Sequence, residues 1–159
     1  MSIRAAYEQR IEIPDDCSVT VEDKKVVVTG PLGTLEREFP ELIADFQIDG
    51  NEVVAYTQVS RKKTRALVGS IIAHVRNMLT GVQHGYEYTM KVVYSHFPPT
   101  VKDEDGFVVI SNFLGERGVR KARKVGDVDI KISEDEVVIS GISIEDVSQT
   151  AANIQNSTR

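Results

Sequence analysis

Cysteine is nearly absent from this sequence of 159 residues, and Cys17 is the only one. A single cysteine excludes an internal disulfide and a cysteine-based zinc site. Long apolar runs are also missing, since no stretch approaches the roughly 20 residues that a membrane-spanning helix needs. The first residues, MSIRAAYEQRIEIP, contain no continuous apolar stretch and so lack the pattern of a secretory signal. We therefore expect a cytoplasmic protein.

Catalytic motifs are equally scarce. The three histidines, His74, His84 and His96, show no metal-ligand spacing such as HExxH. Ser95 and His96 are adjacent, but neighbours on an extended strand point to opposite faces and make a poor nucleophile–base pair. The glycine-containing stretches TGPLG and NFLGERG match neither the P-loop nor the dinucleotide-binding pattern. We predict no enzyme, no cofactor and no metal, with a small enzyme that uses His96 as an alternative.

Acidic residues are lacking between Tyr56 and Tyr86, although the whole chain carries 24 acidic against 19 basic residues and a formal net charge of −5. That interval holds five basic residues, and a second group of five lies between Gly115 and Lys124. Such runs are often no more than solvated surfaces. Two of them on an acidic background favour a different interpretation, in which polyanion binding is confined to chosen surfaces.

An internal repeat organises the chain. KVVVTGPLG aligns with FVVISNFLG at a shift of 82 residues, and FQIDGNEVVAYT aligns with IKISEDEVVISG at a shift of 84. The nearly constant shift predicts an α+β fold made by tandem duplication of a small unit, each a mostly antiparallel β-sheet packed with one α-helix. We place the first repeat at 1–82 and the second at 83–159. One large sheet is the alternative.

The clearest helix is predicted over Arg61–Thr80, with Ser60 as its N-cap. Its apolar face follows helical spacing and consists of Leu67, Ile71, Val75, Met78 and Leu79. The opposite face consists of Lys62, Arg65, Gly69, Ala73 and Arg76. Cations in the first turns oppose the helix macrodipole, so we predict that the three basic residues of this face contact a neighbouring molecule. A salt bridge within the domain is the alternative. A second helix is predicted to begin after Ser143.

The segment Gly115–Lys124 is predicted to be a glycine-bounded loop, because Gly115 and Gly118 allow tight turns and close backbone approach. Arginine binds phosphate bidentately and lysine binds it as a point charge, so the basic residues of the segment are candidate phosphate ligands. They are Arg117, Arg120, Lys121, Arg123 and Lys124. Contacts of this kind give salt-dependent affinity with little reading of sequence.

Upstream of this segment, YSHFPP places Pro98 and Pro99 after His96 and Phe97. The two prolines stiffen the chain and would hold the preceding rings outward. Histidine and aromatic rings can stack on unpaired bases in folded RNA. A rigid interdomain corner with Phe97 packed inside is the alternative.

Several motifs together resemble one known family. They are TGPLG after the first β-branched run, RNMLTGVQHGYEYTMKVVYSHFPP, VISNFLGE and ISGISIEDVSQTAANI. Over essentially the whole chain the sequence is similar to the universal large-subunit ribosomal protein six (L-six) family, in its archaeal form. Members of that family are tandem duplications of an α+β unit. The resemblance also implies a basic tail with an FQDG-like motif beyond Arg159, which this sequence does not contain.

The resemblance implies a structural role in the large ribosomal subunit. The second domain would bind large-subunit ribosomal RNA near the sarcin–ricin loop and the stalk base, where translational GTPases dock. Neighbouring large-subunit and stalk-base ribosomal proteins would be further partners. No membrane and no small-molecule substrate are expected. A module that docks an acidic protein through the basic first helix is the alternative.

Family motifs also carry over to single residues. The YSHFPP match makes His96 and Pro98 candidate RNA neighbours. The SQTAANI match adds Gln149 and Asn153 on the second helix. Arg159, the first basic residue of that helix, completes the predicted RNA-binding set together with the five basic residues of Gly115–Lys124.

Overall fold

The computed structural model describes residues 5–39, 44–94 and 98–158. The chain divides into two compact units, Met1–His84 and Gly85–Arg159. Within the described residues each unit contains six strands followed by one α-helix. The predicted α+β tandem duplication is confirmed.

The first unit has the following elements: β1 Tyr7–Glu12, β2 Ser18–Glu22, β3 Lys25–Gly30, β4 Gly33–Glu38, β5 Ala44–Asp49, β6 Glu52–Thr57 and α1 Lys62–His84. The second unit repeats the series: β7 Tyr86–Lys91, β8 Thr100–Glu104, β9 Phe107–Ser111, β10 Val119–Arg123, β11 Asp129–Ile132, β12 Glu136–Gly141 and α2 Ile144–Ser157. A short 3-10 turn, Phe113–Gly115, lies between β9 and β10.

Each unit holds two three-stranded antiparallel sheets with the same strand order. In the first unit they are β1–β6–β5 and β2–β3–β4, and in the second β7–β12–β11 and β8–β9–β10. We call β2–β3–β4 the first meander and β8–β9–β10 the second meander, because each joins three consecutive strands. Hairpins form at Asp49-Gly50-Asn51, between β5 and β6, and at Asp105-Gly106, between β8 and β9. The sequence patterns did not predict β1 and β4.

One apolar core per unit lies between the helix and the two sheets. In the first unit α1 packs against β1, β3 and β6, and its fully buried side chains include Val68, Ile71 and Val75. Leu67, predicted on the apolar face, is only half-buried. In the second unit α2 packs against β7, β10 and β12, with Val147 fully buried. Burying such a side chain contributes about 1.5–3 kcal/mol, so each core stabilises its own unit.

Helix boundaries differ from the prediction at the first helix. Helix α1 runs to His84, beyond the predicted end at Thr80, because Gly81 and Val82 are buried. At its start, the hydroxyl of Thr64 accepts a hydrogen bond of 2.9 Å from the Arg61 amide. Helix α2 begins after Ser143 as predicted, and the Ser143 hydroxyl caps it by accepting a hydrogen bond from the Asp146 amide at 3.4 Å.

The TGPLG turn packs against the end of helix α1. A Cβ on Gly30 would lie only 2.6 Å from Cγ2 of Val82, so the close approach requires glycine. The Leu32 amide, just beyond, donates to the Val82 carbonyl at 2.9 Å. The matching connection in the second unit is longer, spanning 112–118, and includes left-handed backbone at Asn112 and Leu114. The short turn before β4 in the first copy is therefore replaced by a longer connection before β10 in the second.

Candidate nucleic-acid interface

The basic segment is mainly a strand. Residues Val119–Arg123 form β10, paired antiparallel with β9 along its whole length. The prediction of a loop from Gly115 to Lys124 was therefore wrong for this part, and the two glycines lie in the connection before it. Strand β10 is at the edge of its meander, where charged side chains are tolerated and discourage pairing with other chains. With three cations among five residues, its period-two alternation was hard to recognise.

Alternation along β10 divides its cations between two faces. Arg120 and Ala122 point to the side of α2, and Ala122 is buried. Lys121 and Arg123 point to the outer face, and both are exposed. The neighbouring cations therefore do not form one uniform patch.

Arg120 is engaged within the unit. Its guanidinium donates to both carboxylate oxygens of Glu116, at 2.6 and 3.1 Å, and to the Ser157 carbonyl at 2.9 Å. It also lies 4.6 Å from the centroid of the Phe113 ring. These hydrogen bonds with Arg120 hold the pKa of Glu116 below its usual range and raise that of Arg120. Arg120 thus joins the 3-10 turn, β10 and the end of α2.

Lys124 is also paired within the unit. Its Nζ lies 2.9 Å from Oδ1 of Asp103, a residue of the opposite edge strand β8. The side chain of Lys124 is 20% exposed, which is less than that of its acidic partner. Of the five predicted phosphate ligands, Arg120 and Lys124 therefore each have a carboxylate partner.

Helix α2 brings the predicted Gln149 and Asn153 to the end of β10. Asn153 Nδ2 donates to the Arg123 carbonyl at 3.0 Å, and Gln149 Nε2 donates to Asn153 Oδ1 at 2.9 Å. Thr150, fully buried on the same helix, accepts from the Val125 amide at 3.0 Å. Gln149 is exposed and Asn153 half-buried. This chain of amides places α2 beside the basic strand.

The remaining predicted site residues fall into three groups. Arg117, in the connection, and Pro98, before β8, are exposed. His96 and Arg159 lie outside the described residues, as does Phe97. On helix α1 the three predicted contact residues are exposed: Lys62, Arg65 and Arg76. Arg65 lies 5.9 Å from the ring centroid of Tyr7 on β1, at the limit of a cation–π contact.

The outer faces of the two meanders can be compared position by position. We define the second outer face as Thr100, Lys102, Glu104, Phe107, Val109, Ser111, Val119, Lys121 and Arg123. The first outer face is Ser18, Thr20, Glu22, Lys25, Val27, Thr29, Thr34, Glu36 and Glu38. The second carries three basic residues and one acidic, and the first carries one basic and three acidic. The duplicated surface therefore has opposite charge in the two copies.

The strongest contrast lies on the edge strands. Counted through the strand registers, Glu36 and Glu38 of β4 occupy the positions that Lys121 and Arg123 occupy in β10. The topology is the same, so folding alone does not select the sign of these charges. Exposed charges of either sign contribute only about 0–1 kcal/mol to stability.

Sequence reasoning missed two residues of the second outer face, Lys102 and Phe107. Lys102 lies on β8 in register with Val109, which in turn pairs with Lys121. Phe107 begins β9 and is 40% exposed. The alternation of VKDEDGFVVIS on either side of its Asp-Gly turn could have placed both on one face.

Fold and surface together define the class of this protein. It is a duplicated α+β protein with an exposed basic surface, the second outer face, on its second unit. In the described ranges no group of three or more potential metal ligands comes together. Among the same residues no helix is long and apolar enough to cross a membrane.

Comparison with known proteins gives the family. A profile of the family described as Ribosomal protein L6 matches residues 13–85 and 100–159. The "Large ribosomal subunit protein uL6" of Methanobrevibacter smithii is 44% identical over 159 residues, which are 100% of this chain and 89% of that protein. The protein of the same name from Aeropyrum pernix is 41% identical over 152 residues, 95% of this chain and 84% of that one. That of Natronomonas pharaonis is 44% identical over 151 residues, with 94% and 84% covered.

The chain belongs to the ribosomal protein L6 family. It is a structural, non-enzymatic protein of the cytoplasmic ribosome, and the family and role predicted from the sequence motifs are confirmed. The relatives named above are archaeal, in agreement with the predicted archaeal form.

Proposed function

We propose that this chain is a constituent of the large ribosomal subunit that binds large-subunit ribosomal RNA through its second unit, 83–159 in the predicted division. The contact surface is the second outer face, where Lys102, Lys121 and Arg123 supply positive charge. Arg117 and the α2 amides Gln149 and Asn153 extend the contact along both ends of β10, and Pro98 extends it before β8. His96 and Arg159 belong to the same predicted set.

The observation that carries this proposal is the charge inversion between the duplicated outer faces. Phosphate-rich RNA is attracted to a basic surface and repelled by an acidic one. A chain with a net charge of −5 can approach RNA closely only where its acidic residues are absent or paired. The second outer face comes nearest to that condition, because Lys121 and Arg123 replace the glutamates of the first and Glu104 is its single acidic residue.

Arg120 supports the surface from the other side. Because it links Glu116, Phe113 and Ser157, it fixes β10 against the end of α2. A strand held on one face presents its outward cations with little loss of backbone freedom on binding. In this proposal Arg120 and Lys124 position the strand, and the outer cations bind phosphate.

The place of the protein within the subunit follows the family resemblance. The second unit would lie near the sarcin–ricin loop and the stalk base, next to the region where translational GTPases dock. The exposed cations of helix α1 would face a neighbouring molecule, such as another large-subunit or stalk-base ribosomal protein. They are Lys62, Arg65 and Arg76.

A charge exchange between the two copies tests the proposal. The variant Lys121→Glu/Arg123→Glu gives the second outer face the glutamates of the first. We expect it to be lost from large subunits on a density gradient of reconstituted particles, whereas the wild-type protein co-migrates with them. The matched control is Lys24→Glu/Lys25→Glu in the first unit, which changes the net charge by the same amount.

The control variant should stay with the large subunit. Lys24 and Lys25 form only exposed ion pairs, with Asp45 at 3.5 Å and Glu36 at 3.1 Å. Loss of both variants alike would show that net charge, not the second outer face, governs assembly. Absence of the wild-type protein from large subunits would overturn the proposed function altogether.

A further inference from the structure

Phe107 is an exposed aromatic residue of the second outer face, beside the turn between β8 and β9. It lies on β9, the middle strand of the second meander, between Glu104 on one side and Arg123 on the other. Its side chain is 40% exposed. Lys121 Nζ lies 5.8 Å from the ring centroid, so two cations flank the ring along β10.

The core of the unit does not account for this ring. In the described part of the second unit, the residues packed together as the core include Val108, Ile110 and Phe113, but not Phe107. Strand alternation directs Phe107 away from those neighbours. Packing in the core therefore does not account for the exposed part of the ring.

In the first unit, the position that corresponds to Phe107 holds a charged residue instead of an aromatic ring. There Lys25 occupies the position of Phe107, and its Nζ forms an ion pair of 3.1 Å with Glu36. Glu36 in turn occupies the position of Lys121. An exposed ion pair in the first unit thus corresponds to an aromatic ring beside a cation in the second. The two pairs occupy matching positions in meanders of the same strand order.

We propose that Phe107 is a stacking platform for one unpaired nucleobase, whose flanking phosphates are bound by Lys121 and Arg123. The inference rests on the proposed function, since it specifies how the same surface holds RNA. Aromatic rings on sheet surfaces bind single-stranded RNA by stacking, and adjacent cations neutralise the backbone. A base inside a regular duplex has both faces covered, so the platform requires a looped-out or unpaired base.

The test compares Phe107→Leu with Phe107→Tyr, using an in vitro transcript of large-subunit ribosomal RNA as the probe. Leucine keeps an apolar side chain but removes the π face, whereas tyrosine keeps it. We expect Phe107→Leu to weaken binding by about fivefold to 150-fold, the range for loss of one stacked base. Phe107→Tyr should bind like the wild type.

The slope of log affinity against log salt separates stacking from charge. Loss of stacking leaves this slope unchanged in Phe107→Leu, because no phosphate contact is removed. Tyr88→Leu, which removes an equally exposed aromatic ring on β7, outside the second outer face, is the matched control and should bind like the wild type. Thermal melting of all variants verifies that they fold.

A second measurement uses the wild-type protein. Ultraviolet cross-linking of its complex with the transcript, followed by mass spectrometry, should yield a nucleotide adduct at Phe107. Unchanged affinity of Phe107→Leu, or a flattened salt slope in that variant, would overturn the stacking platform while RNA binding itself persists. Failure of the wild-type protein to bind the transcript would instead overturn the proposed function.

Discussion

The division of the β10 cations into outward and paired residues predicts different effects for two double variants. Lys121→Gln/Arg123→Gln removes the outward pair, and Arg120→Gln/Lys124→Gln removes the pair bound to Glu116 and Asp103. Each phosphate contact contributes about 0.7–0.9 to the slope of log affinity against log salt, so losing two flattens it by about 1.4–1.8. Binding to the ribosomal RNA transcript between about 50 and 200 mM salt measures this slope.

The paired residues should behave differently. Their carboxylate partners already neutralise them, so the second double variant should keep the wild-type slope. It should instead melt at a lower temperature, since Arg120 also bonds the Ser157 carbonyl. Both variants remove two positive charges from the same part of the chain, so each controls for the other. Equal flattening by both, or flattening by the paired residues alone, would refute the assignment of faces.

Three further predictions concern the scaffold. Thr150→Val leaves the Val125 amide without its hydroxyl partner and should cost about 1–3 kcal/mol of unfolding free energy in urea, whereas the exposed Thr89→Val should cost almost nothing; equal losses would contradict the buried hydrogen bond. Because Arg120 lowers the pKa of Glu116, their pair stabilises the fold above the unfolded pKa of about 4.3 and ceases to do so as pH falls through the lower folded value. The urea midpoints of wild type and Glu116→Gln should therefore differ near neutral pH and converge in acid, and a constant difference would contradict the pairing. On helix α1 the three exposed cations are Lys62, Arg65 and Arg76. Replacing them by glutamine should leave the melting temperature unchanged or raise it. A large fall would mean that they serve internal salt bridges.

The fold was largely predictable because duplication reinforces weak signals. A single β-branched run is ambiguous, but the matching order and shift of KVVVTGPLG and FVVISNFLG indicated two copies of one unit. The cap at Ser143 was also predictable, since it depends on residues within one helical turn. Strand β1 was not found, because it pairs with β6, which is distant in sequence. Strand β4 was missed although it pairs with the adjacent β3.

The candidate surface was only partly predictable. Composition identified the basic segment, but not the separate environments of Arg120 and Lys121, which are neighbours in sequence. Their separation depends on the register of β10 with β9 and on the position of the α2 end, where Ser157 offers its carbonyl. Long-range contacts of this kind leave no local pattern. Lys102 and Phe107 were missed for a different reason, since the alternation around their Asp-Gly turn is a local pattern that could have placed both on one face.

The amide of Asn153 has a consequence for the protein before assembly. An edge strand exposes unpaired backbone groups and can accept a strand from another molecule. At the end of β10, Asn153 occupies the Arg123 carbonyl, and the outward lysine and arginine repel the same edge of a second copy. The residues proposed to bind RNA would therefore also keep newly made chains from joining edge to edge. Neutralising Lys121 and Arg123 would therefore be expected to favour edge-to-edge aggregation as well as to impair assembly.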